Sequence, residues 1–165
     1  MLSIMEKMGF GGGCHWCTEA IFASIVGVAE VEQGWIRPAM DDRFSEAVLV
    51  EFDQKAVSIA KLVAIHLYSH SATSTHSLRE KYRSAVYVFN NAQTREVERS
   101  ILQLQKGFTD RIITQVLEFG EFKLNSAAFL NYYASDPDRP FCRSYITPKL
   151  NALLERFGKQ VRPII

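Results

Sequence analysis

The sequence predicts an α+β fold, a central mixed or antiparallel sheet with helices packed on it, in a single domain over residues 1–165. Three observations lead there. Valine-rich stretches at 28–36 and 46–52 alternate as strands do, other stretches carry apolar residues at helical spacing, and the two kinds mix without strict βαβ alternation. No repeat, low-complexity tract or Ser/Pro-rich linker divides the chain.

A first strand is expected over Ile4–Phe10, ending at three glycines. Trp16, Ala20, Phe22, Ala23 and Val26 then recur at helical spacing, with Gly27 as the stop. Strands follow at Val28–Ile36 and Glu46–Phe52, and an amphipathic helix at Val57–Tyr68. The run Ser69–Ser77 (SHSATSTHS) is a polar loop. Ser84–Phe89 reads as a strand, Ala92–Lys106 as a helix with Ile101, Leu102 and Leu104 apolar, and Ile112–Phe119 as a strand. A helix near Asn125–Tyr133, a Pro-rich turn and a last helix near Pro148–Phe157 complete the chain. The expected architecture is a ferredoxin-like two-layer α/β core.

With 165 residues, 47% of them hydrophobic and 22% charged, the composition is that of a globular protein. A formal net charge of +1 offers no electrostatic case for nucleic acid or a membrane surface. No apolar run approaches the roughly 20 residues that span a bilayer. A cytoplasmic protein is expected, and its three cysteines favour redox chemistry or metal binding over structural bridges.

The most informative stretch is GGGCHWCTE, residues 11–19. Three glycines suit a sharp strand-to-helix turn that leaves Cys14 at a helix N-terminus, where free N–H groups and the helix dipole favour a thiolate. The alternatives are a small buried cysteine beside a glycine turn, a thioredoxin-like Cys-x-x-Cys dithiol, and half of a zinc site. His66 and His70 share a helical face at i, i+4, but neither a second Cys-x-x-Cys nor HExxH is present, so no metal is expected.

GCHWCTEAIF resembles the Gly-Cys-Phe-Trp signature of the methionine sulfoxide reductase A family, including variants with a cysteine three residues after the nucleophile. FSEAVLVEFD (Phe44–Asp53) resembles the family's His-Ala-Glu-Val-Val strand, KYRSAVY (Lys81–Tyr87) its Gln-Tyr-Arg-Ser-Ala-Ile-Tyr strand, and PFCRSYITPKL (Pro140–Leu150) a C-terminal segment with a resolving cysteine. The likeness runs from about Phe10 to Leu150, with four motifs in order.

The resemblance implies thiol-dependent reduction of (S)-methionine sulfoxide, in proteins or free, through a cysteine sulfenic acid and an intramolecular disulfide. Cys14 is implied as the nucleophile, Glu46 as a proton donor whose pKa burial would raise, and Tyr82 as the phenol that binds the oxygen. Trp16 offers an apolar wall for the substrate methyl. Cys17 and Cys142 are the recycling thiols, Cys142 in a turn marked by Pro137 and Pro140, with a thioredoxin-like dithiol as reductant. No cofactor is implied.

The chain departs from the family pattern at several points. His15, expected with Trp16 on the substrate-binding side, stands where phenylalanine is usual, either to donate a hydrogen bond or pair with the thiolate, or to fill space. The Asn-Pro-Thr-Tyr loop has no counterpart between Trp35 and Glu46, SHSATS replaces His-Asp-Pro-Thr-Gln, Ser77 replaces an aspartate, and Ala128-Phe129 replaces Tyr-His. A kept redox core with a changed rim implies an altered or narrower substrate range. A general thiol–disulfide oxidoreductase, a redox sensor and a Cys/His metal-binding module are the competing readings.

Overall fold

The computed structural model describes residues 5–75 and 77–162. Ile4, the expected start of the first strand, and His76 of the polar loop lie outside them. The strands are β1 (Met5–Gly11), β2 (Val28–Pro38), β3 (Ser45–Asp53), β4 (Ala85–Val88) and β5 (Gln115–Leu124). The helices are α1 (His15–Ala23), α2 (Ile59–Ser69), α3 (Asn91–Leu104), α4 (Tyr132–Ser135) and α5 (Thr147–Phe157). Short 3₁₀ turns and a π-turn at Cys142–Ile146 connect them.

The open two-layer core is not what forms. The strands run in the order β1-β3-β2-β5-β4, and β4 pairs back onto β1, so the sheet closes into a five-stranded barrel. All neighbours are antiparallel except β4 and β5, which α3 joins as a parallel crossover. Closure follows from side-chain size. Gly9, Ala47 and Ala85 lie on the face that also carries Ile36 and Tyr87, and these small residues let the strands curl around two large ones. The opposite face, with Phe10, Val48, Val50, Phe52 and Val86, packs against the helices in the main core. Alternation looks the same in an open and a closed sheet, so the pattern alone favours neither.

Capping fixes two helix starts. Ser58 accepts from the Lys61 N–H at 3.1 Å to open α2, and Asn90 accepts from Gln93 at 2.9 Å to open α3. The α3 face turned inward is Val97 with the half-buried Ile101 and Leu104, whereas Leu102 points to solvent. β5 extends past Phe119 to Leu124 because it pairs with β2 along Gly34–Pro38. The helix expected at 125–133 is reduced to the four-residue α4. Asn131 is left-handed at φ 53°, and the N–H groups of Asn131 and Tyr132 donate to the Glu19 carboxylate rather than to helical carbonyls.

Gly34 is where β2 and β5 approach most tightly: a Cβ there would stand 1.9 Å from the Lys123 carbonyl oxygen. Gly34→Ala should therefore destabilise the fold by about 1–3 kcal/mol, the usual cost of overpacking. Thermal and urea unfolding check this, and an unchanged midpoint would contradict the close β2–β5 approach.

Candidate active site

The chain leaves β1 through Gly11–Gly13 and enters α1 at Cys14, the N-cap residue. Gly12 adopts φ +144°, and a Cβ there would lie 2.5 Å from the His70 ring. Two histidines brace this turn. His66 Nε2 donates to the Gly11 carbonyl at 2.8 Å, while the His70 ring stacks on His66, bonds the His66 carbonyl through Nδ1 and reaches Ser84 Oγ at 2.7 Å. Burial pushes both imidazoles down, His70 to about 4. The pair that sequence spacing made a metal candidate thus has His66 Nε2 and both nitrogens of His70 engaged with the protein. Among the described residues no cluster of three or more His, Cys, Asp or Glu could hold a metal. Arg79 adds a second brace, donating to the carbonyls of Gly12 and Tyr82 at 2.8 Å each and of Ser74 at 2.7 Å. One guanidinium therefore sets the glycine turn against the segment that carries Tyr82.

Cys14 is half-buried, Cys17 and Cys142 are buried, and all three are free thiols. The Cys14 thiol is pulled down to about 6. A hydrogen bond from the Cys17 thiol is the main cause; burial and the Glu46 charge oppose it, and the N–H groups of Trp16 and Cys17 assist. The same hydrogen bond, with burial, pushes the Cys17 thiol up, and Cys142 lies close enough that its charge adds to that rise. Cys142 opens the π-turn before α5 with no solvent exposure, and burial raises its thiol.

Glu46, near the start of β3, is 4% exposed, yet its pKa is not raised. Burial pushes the carboxyl up, but the His15 side chain, the His15 backbone N–H and the Lys81 ammonium together outweigh it and leave it below the usual value. His15 Nδ1 contacts Oε1 directly, the His15 N–H reaches Oε1 at 3.3 Å, and Lys81 Nζ lies 3.6 Å from Oε2. The His15 ring also meets Asn125 at 2.9 Å and the edge of Trp35, so its contacts are with Glu46 and with these two residues of the protein.

Cys14 and Tyr82 line one cavity of about 880 Å³ with Gly12, Gly13, His70 and Lys149. Trp16 lies outside that lining. Its half-buried ring stacks on Tyr132 at 4.1 Å and 6°, with Phe129 and the edge of Phe141 beside it, so the ring assigned to the substrate methyl packs on the chain's own aromatics. Sequence reasoning also missed Arg79, Asn125, Gln33 and Glu19. The only available signal was a glutamine and a glutamate at positions where the strand and helix patterns called for apolar residues.

A family model for peptide methionine sulfoxide reductase matches residues 6–161. The chain is 31% identical to the peptide methionine sulfoxide reductase MsrA of Acinetobacter baumannii (strain SDF), over 93% of this chain and 96% of that one. It is 30% identical to that of Deinococcus radiodurans, over 95% and 84%. Among solved structures, methionine sulfoxide reductase A of Corynebacterium diphtheriae matches with TM-score 0.67 at 22% identity, covering 81% of this chain and 76% of that one. Reduced Mxr1 from Saccharomyces cerevisiae matches with TM-score 0.73 at 17% identity, covering 86% and 91%. The chain belongs to the peptide methionine sulfoxide reductase family.

The thiol pair makes a direct prediction. Cys17→Ala removes the donor that holds the Cys14 thiolate, so the midpoint for iodoacetamide alkylation of Cys14 should climb from about 6 towards the ordinary thiol value of about 8.5. Cys17→Ser keeps an O–H donor and should lie between the two. An alkaline shift absent from Cys17→Ala would show that the helix start alone activates Cys14.

Proposed function

We propose that this chain reduces (S)-methionine sulfoxide, free or in proteins, to methionine by thiol chemistry at Cys14. The observation that carries the reading is a thiol lowered to about 6 at the start of a helix, in a cavity it shares with Tyr82. The Cys14 thiolate attacks the sulfoxide sulfur, Glu46, ionised at rest, takes a proton from solvent and passes it to the oxygen, Tyr82 hydrogen-bonds that oxygen, and the bond from the substrate sulfur to oxygen breaks as the oxygen passes to Cys14. The methionine sulfur gains two electrons and Cys14 gives up two, becoming a sulfenic acid as methionine leaves. Trp16 serves the substrate side only where the Tyr132 ring yields to it, which fits a narrower substrate range than the family's.

Cys17 then attacks the Cys14 sulfur, and the oxygen leaves as water with the Cys17 proton. Timing is built into the pair. The Cys17 thiol is held protonated by its bond to the Cys14 thiolate, and that restraint goes once Cys14 carries oxygen. Cys142, beside Cys17, takes over the disulfide by exchange and passes it to a thioredoxin-like dithiol. The complex of Mxr1 from Saccharomyces cerevisiae with Trx2, a chain of the same fold at TM-score 0.60, supports that reductant. Residues 1–165 form one domain in this reading, and a cytoplasmic setting fits three thiols that must be kept reduced. Among the described residues no helix is long and apolar enough to cross a membrane.

Separate assays with the two epimers test the activity: the S epimer should yield methionine with a dithiol present and the R epimer none. Glu46→Gln should slow methionine release in a single turnover by roughly 10²–10⁴-fold while the protein stays folded. Release at the wild-type rate would remove Glu46 from the step.

A further inference from the structure

A chain of buried polar side chains runs from Glu46 through His15, Asn125 and Gln33 to Glu19, joining β3, α1, the end of β5 and β2 before returning to α1. His15, Gln33, Glu19, Glu46 and Asn125 are all at most 9% exposed. Its polarity is dictated from one end. Glu19 accepts the backbone N–H groups of Asn131 and Tyr132 at 2.9 and 3.1 Å, so its carboxylate acts as acceptor. Gln33 places one amide atom 3.0 Å from Glu19 Oε1 and 2.9 Å from the Phe129 carbonyl. Two acceptors require that atom to be Nε2–H₂. Gln33 Oε1 must then accept from Asn125 Nδ2 at 2.6 Å, and the same Nδ2 donates to His15 Nε2 at 2.9 Å. The Ser126 N–H donates to Asn125 Oδ1 at 2.8 Å, which fixes the asparagine independently. His15 Nε2 is thus an acceptor, and the hydrogen-bond network assigns the ring proton to Nδ1, facing Glu46 Oε1.

We infer that His15 is a positioning residue for sulfoxide reduction: the Glu19–Gln33–Asn125 chain locks its Nδ1–H onto Oε1 of Glu46, leaving Oε2 as the oxygen that handles the proton. This rests on the reaction proposed above. The backbone N–H of His15 also reaches Oε1, at 3.3 Å, whereas among the described residues the partner of Oε2 is the Lys81 ammonium, 3.6 Å away. The arrangement turns the carboxylate about its own axis and favours its ionised form, in keeping with a pKa that lies low despite burial. The charged and titratable groups that face this pair are Lys81, from the segment before β4, with Tyr82 beside it, and Cys14, at the start of α1. Glu19 acts only through the amides.

Two variants separate positioning from packing. His15→Phe keeps a flat ring of similar size and loses the donor, while His15→Asn puts an amide N–H near the place of Nδ1–H. In protein with ¹³C-labelled glutamate, the Glu46 carboxyl signal is identified by its loss in Glu46→Gln. Its titration midpoint should rise by about one to two units in His15→Phe and return towards wild type in His15→Asn. The limb of the single-turnover pH–rate profile that disappears in Glu46→Gln should move upward with it. In ¹⁵N-histidine-labelled wild type, the His15 signals should show a protonated Nδ1 and a bare Nε2. A protonated Nε2, a Glu46 midpoint unmoved in His15→Phe, or equal shifts in both variants would overturn the inference. If wild-type protein released no methionine from either epimer, the proposed reaction would fall, and the carboxyl titration and histidine spectra would still decide the positioning.

Discussion

The contact between Glu46 and His15 joins the barrel to the helix that carries the thiol. Glu46 sits near the start of β3, opposite Trp35 of β2, and His15 is the first residue of α1. A carboxylate buried this deeply without a partner would cost several kcal/mol. The His15 ring and N–H hold it, and in doing so they fix how α1 leaves the glycine turn. Where α1 starts determines where Cys14 stands, and the other features of the site follow from that.

Around this junction the two sides of α1 do different work. Cys14 faces the cavity, with Cys17 one turn on as the proton holder and Cys142 beyond it in the core. Burial deepens from the half-buried Cys14 to the buried Cys17 and Cys142, and Cys17 feels the charge of both. On the other side, Glu19 fastens the 129–132 turn, and that turn lays Tyr132 and Phe129 over Trp16. The two histidines, their imidazoles pushed towards the neutral form by burial, and the Arg79 guanidinium together hold the glycine turn.

Much of this was legible in the sequence because it is local. Strand alternation, helical spacing of apolar residues and the glycines before Cys14 act over a few residues, and most of the elements they predict form close to where expected. The closed barrel was not legible. It depends on β4 finding β1 and β5 at once, and on Gly9, Ala47 and Ala85 meeting across sequence gaps of dozens of residues. The fate of 125–133 was hidden for the same reason: tertiary bonds from Glu19 and Gln33 override a helical pattern. Glu46 was singled out through the family resemblance, but its pKa shift runs opposite to the expected sense, since the histidine facing it was not visible in the sequence. His66 and His70 show the reverse: their spacing is right for a metal, and the Gly11 carbonyl and Ser84 hydroxyl they reach for lie far away in sequence.

The central claim is that the sulfoxide oxygen passes to Cys14. It is tested most directly in the Cys17→Ser/Cys142→Ser double variant, in which no second thiol can clear the product. One equivalent of (S)-methionine sulfoxide should release one equivalent of methionine and leave a single oxygen on the protein. Dimedone trapping and peptide mass mapping should locate that oxygen at Cys14. Methionine release with no oxygen on Cys14, or a protein that takes up no oxygen, would contradict the account.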